Sequence, residues 1–102
     1  MRLVRVAVLL ALAGCARQQP VVHRVAIRGM TFVPAQVQVA RGDRVEWTNE
    51  DLVPHTVTAV DLRFDSSVIP AAAGWAWTAD STGAIPYACR LHPEMRGSVT
   101  VR

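Results

Sequence analysis

From Val21 to Arg102 the chain alternates apolar and polar residues in short runs, broken by turn-forming residues every dozen positions or fewer. Successive side chains of an extended strand project to opposite faces, so this alternation describes half-buried strands. An amphipathic helix would need apolar residues every three to four positions instead, and that period does not occur here. Val21, Val25 and Ile27 share one face of a first segment that ends at Arg28-Gly29. Val37 and Val39 oppose Gln36 and Gln38. After the turn Arg41-Gly42-Asp43, Val45, Trp47 and Asn49 alternate with Arg44, Glu46 and Thr48. His55 is expected to open a strand in phase with Val57 and Ala59. An irregular stretch over 61–74 then precedes predicted strands at 75–79, 84–89 and 97–101. The pattern predicts an all-β, antiparallel sandwich or barrel. Phe32, Trp47, Phe64, Trp75, Trp77 and Tyr87 supply the large side chains of its core.

The first twenty residues follow a different pattern. Met1 to Arg5 is short and basic, and Val6 to Leu12 is an unbroken apolar run, too short to span a bilayer as a helix. This is the layout of a secretory signal. Leu12-Ala13-Gly14-Cys15 resembles a bacterial lipobox, so residues 1–14 are expected to be removed and Cys15 to be lipidated. An ordinary signal peptide with Cys15 close to its cleavage point is the alternative. Residues 15–20 then form a tether and 21–102 a single domain. The expected location is the bacterial periplasm, with the lipid as the only membrane attachment. Ala16 lacks the aspartate associated with inner-membrane retention, which favours an outer-membrane anchor. Loss of Arg2 and Arg5 brings the net charge from +3 to about +1. With no basic run or base-stacking aromatic pattern, no nucleic-acid partner is expected.

With Cys15 assigned to lipid, Cys89 stands alone in an oxidising compartment, where a free thiol needs something to hold it. A metal would do so. Cys89-Arg90-Leu91-His92-Pro93-Glu94-Met95 spaces a thiolate, an imidazole and a thioether three residues apart. Pro93 and the flanking strands argue against a helix, so the segment is expected to be a compact loop joining two strands. Cys89 is in phase with Ile85 and Tyr87, Met95 with Val99 and Val101, and His55 with Val57 and Ala59. All three therefore point inward at one end of the sandwich, and His92 closes the set from outside. One thiolate, two imidazoles and a weak axial thioether select copper, as Cu(I) and Cu(II), over zinc, which rarely takes a thioether. His23 and Met30 have no further donors beside them and read as structural. With no histidines left for a second copper site, an enzyme is not expected.

At this point the sequence resembles the cupredoxins, and within them the plastocyanin/amicyanin group. The resemblance is carried by Phe32-Val33-Pro34, Gly42-Asp43-x-Val45-x-Trp47-x-Asn49, Pro54-His55-Thr56-Val57, Phe64-Asp65-Ser66 and Tyr87-x-Cys89-x-x-His92-x-x-Met95. It implies a Greek-key β-sandwich of about eight strands, with a type 1 (blue) copper ion held at one end by His55, Cys89, His92 and Met95. The implied function is shuttling single electrons between larger redox proteins, one a donor and one an acceptor, by a monomer. In one departure, Thr56 stands where the family usually has Asn, whose side chain ties the two ligand loops together; a threonine hydroxyl could make a similar but shorter bond. Val53, Pro54, Leu91 and Pro93 are expected to form an apolar docking collar around His92. A copper-handling protein that buffers or delivers the ion is the competing class, since the same four ligands serve either task.

Overall fold

A computed structural model describes residues 2–5, 7 and 19–102. The period-two segments become eight strands: β1 (Val22–Arg28), β2 (Thr31–Val33), β3 (Gln36–Val39), β4 (Arg44–Asn49), β5 (Thr58–Ala59), β6 (Gly74–Thr78), β7 (Gly83–Ala88) and β8 (Arg96–Val101). They form two four-stranded sheets, ordered β2-β1-β4-β6 and β3-β8-β7-β5. Most pairs are antiparallel, but β1 runs parallel to β4 and β3 parallel to β8. The described residues contain no helix, and the all-β sandwich expected from the alternation is the fold observed.

The inner faces of the two sheets supply the core. Val25, Ile27, Val45 and Trp47 from one sheet meet Val39, Ile85, Tyr87, Val99 and Val101 from the other, all buried. Trp47 lies at the centre, with ring centroids 5.9 Å from Phe64, 5.6 Å from Trp75 and 5.6 Å from Tyr87. Its indole Nε1 donates to the Tyr87 hydroxyl across the sheets at 3.2 Å, which gives each polar tip a partner in the dry interior. Gly97 on β8 lies beneath the Tyr87 ring, where a Cβ would overlap Cζ, Oη and Cε1. Only glycine lets β8 pass so close to that ring.

Two expectations need correction, and one strand was not anticipated. His55 does not open a strand: it makes an isolated bridge to Ile69, and only Thr58–Ala59 pairs with β7. Residues 55–59 are all buried rather than alternating, because the segment runs between the Cys89 loop on one side and residues 64–69 on the other. Val21 is 53% exposed, so the inward face of β1 is carried by Val25 and Ile27 alone. β2 has only three residues, too short for its alternation to register, and forms by pairing back on β1 through the Gly29-Met30 turn.

The strand directions define two poles. β1 and β4 run together to Ile27 and Asn49, and β7 ends beside the start of β8 at the same pole. The opposite pole carries the Asp43 turn, where the chain enters at Val21. The Asp43 carboxylate accepts from the amides of Val21 (3.0 Å) and Ala40 (2.9 Å) and pairs with His23 Nε2 at 2.9 Å. These contacts, led by the Val21 amide, lower its pKa to about 2. His23 is thereby structural, as expected.

Candidate metal centre

Cys89 follows the last residue of β7 on the inward phase of Ile85 and Tyr87, and Met95 precedes β8 on the phase of Val99. Both are buried, at 0% and 2% exposure. The connection between them is a loop closed on itself by backbone hydrogen bonds: Met95 N–H to the His92 carbonyl (2.9 Å) and Cys89 N–H to the Met95 carbonyl (3.1 Å). His92 occupies the loop tip and is half-buried. The loop geometry expected from Pro93 is the one observed.

His55 arrives from the other sheet. Buried Asn49, at the end of β4, donates from Nδ2 to the carbonyls of Val53 (2.9 Å) and Ile69 (3.0 Å) and accepts the Asp51 amide at 3.0 Å. That folds residues 50–54 into a tight loop and leaves His55 fully buried, fixed by reciprocal backbone bonds with Ile69. The result is a triangle: Cys89 Sγ lies 3.8 Å from His55 Nδ1 and 3.7 Å from His92 Nδ1, and the two nitrogens are 3.2 Å apart. The centre of that triangle lies about 2 Å from each corner, the length of a metal–imidazole bond.

Around the triangle the protein supplies compensating dipoles. The Thr56 amide donates to Cys89 Sγ at 3.2 Å, a contact that stabilises negative charge on sulfur. The Thr56 hydroxyl accepts from the Arg90 amide at 2.8 Å and pairs with the Thr58 hydroxyl at 3.0 Å. Threonine thus performs the tie between ligand loops for which the family usually uses Asn. On the far side of His55, Nε2 meets the Asp51 carboxylate at 2.8 Å. Asp51 also accepts the amides of Gly29 (2.7 Å) and Met30 (3.0 Å). The Met30 amide foremost, then the His55 and Gly29 bonds, hold its carboxyl below the usual range, against the opposing effect of burial.

The donors fit copper. A thiolate and two imidazole nitrogens in one plane, with a buried thioether-bearing residue on the same loop, match the trigonal His₂Cys plus axial Met pattern of blue-copper sites. The expected collar residues are exposed around this pole, Val53 to 43% and Leu91 to 48%, with Pro54 and Pro93 beside them and Leu52 the most exposed of the group. Cys15 and most of the predicted signal and tether lie outside the described residues. Sequence reasoning missed Asp51 and Asn49 as parts of the site. For Asp51, a carboxylate four residues before a ligand histidine was the available signal.

A sandwich with a Cys/His/His/Met donor set at one pole defines the cupredoxin class. The sequence pattern of the cupredoxin-like domain matches residues 2–101, and the chain belongs to that family. Its relatives include the amicyanin of Paracoccus versutus, 29% identical over an alignment that covers 76% of this chain. This chain spans 62% of that protein's length. The fold superposes on an amicyanin variant solved in its Cu(I) form with a TM-score of 0.75 and 28% identity, covering 85% of this chain and 88% of the other. A copper-containing nitrite reductase from Thermus scotoductus also gives a TM-score of 0.75, at 23% identity, over 83% of this chain but only 23% of its own. That likeness concerns the fold alone.

Proposed function

We propose that this protein holds one copper ion through His55, Cys89, His92 and Met95 and carries single electrons between a donor and an acceptor redox protein. The observation that carries the reading is the triangle of one buried sulfur and two Nδ1 atoms, with edges of 3.2 to 3.8 Å. Copper, when bound, supplies a one-electron Cu(II)/Cu(I) couple that accepts an electron from one partner and yields it to the other, with no bond made or broken in the protein. The chain's part is to keep the donors fixed, so that little rearrangement accompanies the change of charge. The loop bonds of residues 89–95, the Thr56–Arg90 tie and the Asn49-folded loop all serve that end. Half-buried His92 brings the site to the surface, where the collar of Val53, Pro54, Leu91 and Pro93 excludes water from a docked partner.

Lipidation at Cys15 after removal of residues 1–14 would place the carrier in the periplasm on an outer-membrane anchor; labelled fatty acid appearing in the wild type and not in Cys15→Ser is the check. Electron carriage is separated from copper delivery by retention. A carrier cycles reversibly with the ion kept against a chelator, whereas loss of copper on reduction would favour delivery.

A further inference from the structure

The contacts around His55 join three elements that the ligand set does not require. The β1–β2 hairpin turns through Gly29 and Met30, both with φ of +60°, a conformation that disfavours the L side chain of Met30. The turn aims two consecutive amides at one carboxylate, Asp51, at 2.7 and 3.0 Å. The remaining contact of that carboxylate is the Nε2 edge of His55, at 2.8 Å. A carboxylate that already accepts two amides can only accept again, so Nε2 carries a proton, and in the neutral ring that a metal ligand requires Nδ1 then presents its lone pair. That Nδ1 is the corner of the triangle facing Cys89. Among the described residues His92 has no carboxylate paired with it, so the two histidines are held differently.

We infer that Asp51, held by the Gly29-Met30 turn, is a positioning residue that fixes the ring orientation and tautomer of His55 before any metal arrives, and that it tunes the copper couple through that ring. The metal-related half of this inference rests on the copper reading; the tautomer half does not. Hydrogen bonding of a ligand imidazole to a carboxylate makes the ring more basic and favours the more highly charged ion. Asp51→Asn removes the charge and puts an amide N–H group against the donors of the turn or the ring.

Nitrogen-15 NMR of the metal-free native protein provides the first test. His55 is expected as the Nε2–H tautomer with a ring proton protected from solvent exchange, and His92, the internal control, without that protection. A His55 ring in the Nδ1–H form, or one exchanging as fast as His92, would overturn the inference without touching the copper reading. The second test compares copper-loaded variants. Asp51→Asn should weaken Cu(II) binding roughly 10- to 100-fold. It should also raise the reduction potential, by about 59 mV for each tenfold loss of Cu(II) over Cu(I) affinity. Asp51→Glu, which keeps the carboxylate, should recover part of both. Native affinity and potential in a folded Asp51→Asn protein would refute the tuning role. Absence of copper binding in the wild type would instead refute the proposed function.

Discussion

At the scale of single residues, Thr56 shows how one side chain can serve both loops. Its amide meets Cys89 Sγ and its hydroxyl accepts the Arg90 amide. Thr56→Val keeps the shape and the amide but removes the acceptor of the part-buried Arg90 N–H, a loss of about 1 kcal/mol for one hydrogen bond. Urea denaturation of the metal-free protein should show that loss, with Thr56→Ser near wild type; equal midpoints for all three would remove the tie from the account. The ligands themselves were legible in the sequence because thiolate, imidazole and thioether are rare, chemically distinct donors at a fixed spacing. Asp51 offered only its spacing, four residues before a ligand histidine, since an aspartate in a loop gains its role when a distant hairpin turn points two amides at it. Threonine's ability to replace Asn likewise depended on a 2.8 Å distance that no residue pattern encodes.

At the scale of elements, β7 and β8 carry the ligand loop, so their pairing sets where Cys89 and Met95 begin. Gly97 lets β8 cross beneath Tyr87, and a Cβ there would overlap the ring. Gly97→Ala should cost about 1–3 kcal/mol from overpacking, read as a lowered Tm, and should disturb the Trp47–Tyr87 bond seen in tryptophan fluorescence. An unchanged Tm and emission would mean the ring moves aside freely. The longer strands were readable because each presents two or more inward apolar residues at period two. β2, with three residues, was not, and of the strand expected from His55 only the two residues of β5 formed. Their pairing is imposed by β1 and by β7, and the uniformly buried run from His55 to Ala59 is a property of its neighbours on both sides.

At the scale of the whole molecule, the sandwich separates its tasks by pole, with the donor triangle at one end and the Asp43 anchor of the incoming chain at the other. Two buried or bonded groups bound its pH range. Asp43 is lowered from 3.8 to about 2, so its stabilising contribution is present above 3.8 and is lost as pH falls towards 2. Tyr87 is pushed by burial from 10.0 to about 12, so its contribution is complete below 10.0 and is lost as pH rises through 12. Asp43→Asn should therefore be less stable than wild type near neutrality and approach it in acid; a gap that persists at pH 2 would contradict this. At the copper pole, Leu91→Asp should slow electron exchange with a redox partner while leaving the copper spectrum intact. Equal rates would place docking elsewhere.

If these four side chains make a copper–thiolate site, Cu(II) added to the purified protein will bind there. The structure predicts an intense visible thiolate-to-copper band at one copper per chain, abolished in Cys89→Ser. A colourless protein that prefers zinc, or a band that survives the loss of Cys89, would contradict it.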